Sequence, residues 1–245
     1  MARKILFSDY DGTIYAGADS IAKNITAIKT FRAAGNKFVV TTGRSLASMQ
    51  RLFDKHHVPY DYLILNNGAV VTDEQNNLLL KQFLSPQLAE QLTSFINENI
   101  KTDISIIYYD LTDRAAYFEK DLTKLRVRVT GKAHAPAIKI AKKINQHFGD
   151  QVKALAAFND PYPEENWTMV DVVHKQAGKD TAIEFILDHE NLSKTDATSV
   201  GDGPNDIAML HLLNGYALEN SAPIVLKEVK QTTPSVADLI SNMLK

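Results

Sequence analysis

Three times in its first 68 residues the chain repeats one scheme. A short apolar run ends in a polar loop containing glycine, and the first two loops lead into amphipathic stretches. KILFS runs into DYDGT and then a helical pattern over residues 20–34 that stops at Gly35. KFVV runs into TTGRS and a helix over residues 45–57, and DYLIL runs into NNG. Strand, helix, strand, helix, strand in this order specifies a parallel sheet with helices on its faces, because parallel neighbours need a long crossover that a helix supplies.

The alternation then breaks. VVTDEQNNLLL reads as a hairpin, and SPQLAEQLTSFINENI as a helix with Ser85 as N-cap and Pro86 in its first turn. ISIIYYD, a mixed segment from Arg114 to Val129, a helix opening at Pro136, the run VKALAAF, a Pro-rich turn at residues 159–166 and the run WTMVDVV follow without simple strand–helix order. From Gly178 the first scheme resumes, with the amphipathic KDTAIEFILDHENL and the strand-to-loop segment DATSVGDGPND. The expected architecture is an α/β Rossmann-like parallel core over residues 1–81 and 174–245, interrupted by an inserted α+β segment over residues 82–173.

Open parallel sheets gather the loops at the carboxyl ends of their strands into one crevice. The polar clusters of this chain fall there: Asp9 with Asp11, Thr42 with Gly43 and Arg44, and Asp202 with Asn205 and Asp206, while Lys179 opens a helix that can reach the same edge. If the first strand persists through FSDYDGT, Asp9 and Asp11 face one way and repel unless a cation or a shared proton lies between them. Each cluster also has an ordinary structural reading: DYDGT as a strand-ending turn, GDGPND as a turn and N-cap, Lys179 as a solvated helix-start lysine. An EF-hand loop is excluded for DYDGT, whose glycine stands at the fourth place rather than the sixth.

Composition removes whole classes of function. With no cysteine, thiolate catalysis, disulfides and zinc–thiolate or iron–sulfur sites are impossible. A net charge of -2 without a dense basic run argues against nucleic-acid and anionic-membrane partners, and no apolar stretch approaches the length of a membrane span or a signal peptide's apolar region. A cytoplasmic protein, monomeric or homodimeric, is expected.

The motifs DYDGT, TTGR, Lys179 in GKDTAIEFIL and GDGPNDIAML, in this order and spacing across the whole chain, resemble the haloacid dehalogenase superfamily, in particular its Cof-type phosphatases with a large cap inserted between the second and third motifs. Tyr10 and Pro204 stand at variable places within those motifs. The resemblance implies that Asp9 attacks phosphorus to form an aspartyl phosphate and that Asp11 is the general acid and then base. It assigns Thr42 and Lys179 to the phosphoryl oxygens. It implies Mg²⁺ held by Asp9, Asp202, Asp206 and the backbone carbonyl of Asp11, with Asn205 orienting Asp206 or a metal-bound water.

Gly43, Arg44 and Asn67 are further candidates for phosphate or substrate contact, Arg44 equally for contact with the cap. His56 and His57 are read as helix-end residues, and Tyr108, Tyr109 and Trp167 as cap core. The function implied is hydrolysis of a small phosphorylated metabolite, most simply a sugar phosphate. A phosphomutase and a non-catalytic phosphate- and Mg²⁺-responsive module are the alternatives, the retained Asp11 speaking against the latter.

Overall fold

A computed structural model describes residues 3–111, 114–115, 119–157 and 166–245. The Pro-rich turn expected at residues 159–166 lies, up to residue 165, outside them. The first sheet is built from β1 (Ile5–Asp9), β2 (Lys37–Thr41), β3 (Tyr62–Leu65), β4 (Val70–Asp73) and β5 (Leu78–Lys81) before the interruption. After it come β11 (Ala197–Gly201), β12 (Tyr216–Leu218) and β13 (Gln231–Thr233), giving the spatial order β13-β12-β11-β1-β2-β3-β4-β5. All pairings from β13 to β3 are parallel, and β4 and β5 add an antiparallel hairpin at the edge, as the sequence pattern predicts.

The unalternating apolar runs of β1 and β2 follow from burial on both faces. Leu6 packs with Ile28 and Phe31 of α1 (Ala18–Ala33), Met49 of α2 (Leu46–His56) and Leu239 of α8 (Val236–Met243). Its neighbours Ile5 and Phe7 point the other way, onto Ile183 and Ile186 of α5 (Lys179–Glu190), Met209 of α6 (Ile207–Leu212) and Val225 of α7 (Pro223–Glu228). The chain runs from β1 to β2 and β3 on one side and returns through β11 to β13 on the other. The strand order therefore reverses at β1, where a crevice opens beyond the carboxyl ends of β1 and β11.

A second, antiparallel sheet has the order β7-β6-β8-β10-β9. It comprises β6 (Ile104–Tyr109), β7 (Arg114–Ala115), β8 (Lys124–Thr130), β9 (Val152–Ala157) and β10 (Trp167–His174), with α3 (Pro86–Asn99) and α4 (His134–Phe148) against one face. The Ser85 side chain caps α3 by accepting from Leu88 N at 3.2 Å. α4 begins at His134, two residues before the expected Pro136, because a proline anywhere in the first turn removes only an N–H that has no helical partner. In β8 every second residue, Leu125, Val127 and Val129, enters the apolar cluster under the helices. Lys124, Arg126 and Arg128 consequently share the opposite face, with Met169 and Asp171 of β10 beside them in register.

Among the described residues no helix is long and apolar enough to cross a membrane. Two distant parts of the first sheet's helical layer are joined by one buried amide: Asn24 donates to Ile14 O at 2.9 Å and accepts from Ala237 N at 3.0 Å. Asn24→Ala would orphan both backbone groups. It should cost about 1–3 kcal/mol of unfolding free energy in urea denaturation, and a variant as stable as the wild type would refute that role.

Candidate functional site

β1 ends at Asp9, and the next residues close a tight loop in which Tyr15 N donates to Tyr10 O at 2.9 Å. Gly12 has φ +85, and a Cβ there would lie 2.3 Å from Asp202 Oδ2. Glycine at this place lets the loop after β1 touch the loop after β11. Thr13 Oγ1 then donates to Asp202 Oδ1 at 2.7 Å. Within the second loop, Asp206 accepts backbone N–H bonds from Asp202 at 3.1 Å and Gly203 at 2.9 Å, which fixes its carboxylate.

Lys179 comes from the first turn of α5, and its Nζ lies 2.5 Å from Asp9 Oδ1 and 2.6 Å from Asp206 Oδ1. Its placement depends on the NNG turn, which abuts the start of that helix so closely that a Cβ on Gly68 would lie 2.1 Å from Gly178 O. The solvated alternative for Lys179 does not hold, since the residue is only 3% exposed.

Asp11 stands beyond the strand, not in it as the alternation requires, and its carboxylate has a different basic side chain from that of Asp9. Arg44 donates to both of its oxygens, Nε at 2.8 Å and Nη2 at 2.7 Å. The sequence reading placed Arg44 on phosphate or cap; in the structure the nearer carboxylate has its guanidinium. Asp9 and Asp11 tolerate each other because each has its own basic partner.

Around Lys179 the charge does not balance. Oxygen atoms of Asp9, Asp202 and Asp206 lie within 4.8 Å of one another. Burial raises the Asp9 carboxyl well above its ordinary range, and Asp206 adds to this against the pull of Lys179. Burial likewise pushes Asp202 up to about 6, against its Thr13 hydrogen bond. Burial alone would lower Lys179, but Asp206 and Asp9 hold it above the ordinary lysine value. Three carboxylates facing one ammonium form an all-oxygen donor set with excess negative charge, which suits a hard divalent cation. The Asp11 carboxylate is outside this group.

A cavity of about 950 Å³ opens above the cluster, lined on the first sheet's side by Asp9, Asp11, Gly43, Arg44 and Asn67, with Asn205 exposed at its rim. Thr42 and Lys179 lie behind this wall, both buried. The Thr42 N–H donates to Ile64 O at 2.8 Å, and its Oγ1 accepts from Arg44 N at 3.1 Å.

The far wall is the bare face of the second sheet, and it holds the residues that sequence reasoning missed: Lys124, Arg126, Arg128 and Asp171. Their signal was present in the strict alternation of KLRVRVT, which sends all three cations to one face. Tyr109 and Trp167, expected in the cap core, line this wall. Tyr108 alone turns to the helices, where its hydroxyl meets Thr93 Oγ1 at 3.1 Å. His57 ends α2 in the left-handed conformation, and the His56 ring lies 5.5 Å from that of Tyr15.

Asp171 accepts from Arg126 Nε at 2.6 Å and Nη2 at 2.8 Å and from Lys124 Nζ at 3.3 Å. Burial pushes its carboxyl up, but Arg126 and Lys124 together hold it below the ordinary range. Asn67 Nδ2 reaches the same carboxylate at 3.4 Å, and Lys124 Nζ donates to Gly43 O at 2.7 Å, so the far wall is bonded to the loops carrying Thr42 and Asn67.

Burial lowers Lys124 to about 8, with Arg126 adding to the shift against Asp171. The folded chain then binds fewer protons than the unfolded one between pH 8 and the free-lysine value of 10.5. Its stability relative to a Lys124→Met variant should therefore rise with pH through that window. Urea midpoints of the two proteins across the window measure it, and a difference that does not change with pH would contradict the assignment.

Comparison with known proteins agrees with this geometry. A family model described as haloacid dehalogenase-like hydrolase matches residues 6–240. YxeH of Bacillus subtilis (strain 168), which carries a provisional phosphatase name, is 22% identical over 255 residues, covering 95% of this chain and 93% of its own. The crystal structure of SMU.1108c from Streptococcus mutans UA159 superposes with a TM-score of 0.82 at 19% identity, over 99% of both chains. A structure described as showing a conserved trigonal-bipyramidal intermediate in a phosphoryl-transfer superfamily gives 0.70 at 19% identity, over 99% of this chain and 98% of the other. With the family model spanning nearly its whole length, the chain belongs to the haloacid dehalogenase-like hydrolases.

Proposed function

We propose that this hydrolase is a Mg²⁺-dependent phosphatase of small phosphomonoesters, sugar phosphates among them, working through an aspartyl phosphate. The observation that carries the reading is the carboxylate of Asp9 at the end of β1. It is held by Lys179 inside a three-carboxylate cluster, with a second carboxylate two residues on. Asp9, Asp202 and Asp206 would hold the metal, which supplies positive charge against the phosphoryl oxygens and the crowded carboxylates.

In the first half-reaction an Asp9 oxygen bonds to phosphorus as the ester P–O bond breaks, and Asp11 gives a proton to the departing alkoxide. In the second, Asp11 takes a proton from water. The hydroxide oxygen bonds to phosphorus, and the Asp9–phosphorus bond breaks to release phosphate. Both Asp11 oxygens accept from Arg44 in the structure, so its acid role needs Arg44 to turn away, and an arriving phosphate offers the guanidinium another partner. In this reading Lys179 keeps the Asp9 carboxylate aimed, and the Thr42 hydroxyl, buried behind the cavity wall and accepting from Arg44 N, would have to be uncovered to donate to a phosphoryl oxygen. Residues 82–173 act in this reading as a cap over the site that excludes water and reads the leaving group.

Inorganic phosphate release from a panel of phosphorylated metabolites, with Mg²⁺ and with chelator, tests the reading directly. Asp9→Asn should retain less than about 1% of turnover, the usual scale for loss of a covalent nucleophile; substantial residual activity in a clean preparation would remove Asp9 from that role. Asp11→Asn should slow alkyl phosphates more than aryl phosphates, because a good leaving group needs less protonation. Asp202→Ala should weaken the apparent Mg²⁺ affinity together with activity, and an unchanged metal titration would move the metal elsewhere.

A further inference from the structure

The carboxylates of the cavity have named partners: Asp9 and Asp206 share Lys179, Asp11 has Arg44, Asp202 has Thr13, and Asp171 has Arg126 and Lys124. Arg128 is placed differently. It lines the cavity from the far wall, and its guanidinium lies over the Trp167 ring, 4.4 Å from the centroid. Its Nε is sealed from water and has no hydrogen-bond acceptor among the described residues. Stacking on an indole fixes the guanidinium plane, and since Nε is sealed it is the terminal in-plane N–H groups that can fork onto a planar anion from the cavity, the geometry in which arginine binds carboxylate and phosphate.

Arg114 lies across from Tyr109 in the β6–β7 pairing and so faces the same cavity, which it also lines. Among the described residues, the second sheet's wall thus presents Arg114, Lys124, Arg126 and Arg128 against the single carboxylate of Asp171. The first sheet's wall presents the acidic cluster. A phosphoryl group in transfer is accommodated at the acidic end with its metal, and the cavity is far larger than one phosphate requires.

We infer that the substrate's leaving group carries a second anion, a carboxylate or a second phosphate, and that Arg128 on the second sheet receives it while the first phosphate sits at Asp9. A neutral leaving group would leave the excess positive charge of that wall without a partner anion. The inference rests on the phosphatase reading and narrows its substrate class.

Two matched pairs test it. The first is 2-phosphoglycerate against glycerol 2-phosphate, which differ only in carboxylate against hydroxymethyl. The second is fructose 1,6-bisphosphate against fructose 6-phosphate. Within at least one pair kcat/KM with Mg²⁺ should favour the charged member about tenfold or more, about 1.4 kcal/mol, and the responsive pair tells carboxylate from phosphate. Arg128→Gln should cut that preference about tenfold; as a ratio within one preparation, it is insensitive to a misfolded fraction. Preference for the neutral member in both pairs, or a preference that Arg128→Gln leaves intact, overturns the inference. Turnover of p-nitrophenyl phosphate without anion preference sinks this inference alone, whereas no turnover of any of the five esters sinks the phosphatase reading with it.

Discussion

The ammonium of Lys179 between Asp9 and Asp206 is the interaction on which the rest of the first sheet's edge depends. It joins the end of β1, the start of α5 and the loop after β11, the Lys179–Asp9 contact alone spanning 170 residues of sequence, and it does so almost entirely out of water. Breaking a buried pair by removing one partner costs about 3–5 kcal/mol, because the other charge is stranded. The parallel sheet meets this demand through its topology, since the carboxyl ends of β1 and β11 are neighbours and the NNG turn presses α5 into place. One ammonium among three carboxylates still leaves negative charge unbalanced, a donor set that suits a hard divalent cation.

The second sheet depends on a simpler constraint. A strand in a sheet covered on one face by helices must alternate, so β8 buries Leu125, Val127 and Val129 and turns Lys124, Arg126 and Arg128 outward. Lys124 is buried there, while Arg126 and Arg128 stay partly exposed to the crevice that the outward face lies over. Asp171 in the neighbouring strand accepts from two of them, and Lys124 also donates to the carbonyl of Gly43. The second sheet is thereby bonded to the loop that carries Thr42 and Arg44.

The cavity is electrostatically divided as a result. Its acidic end comes from strand-end loops of the parallel sheet, where carboxylates gather because backbone N–H groups and Lys179 hold them. Its basic end comes from the middle of an antiparallel strand. Arg44 stands between the two, on the loop after β2 and paired with Asp11. The aromatic rings of Tyr109 and Trp167 keep the guanidinium groups of Arg126 and Arg128 flat and oriented.

The sequence by itself determined the alternation of strands and helices, the single interruption, the polar loops at strand ends, and even a local detail such as the Ser85 cap. These are consequences of side-chain period, turn chemistry and capping, all of which act over a few residues. Tertiary structure alone decided that the Asp11 carboxylate pairs with Arg44, that Tyr109 and Trp167 face the cavity, and that Lys124, Arg126 and Arg128 form its far wall. Periodicity says which residues share a face of a strand. It cannot say which face the helices will cover and which will meet the other sheet, because that choice is made by the packing of α3 and α4, elements distant in sequence from the residues whose roles they settle.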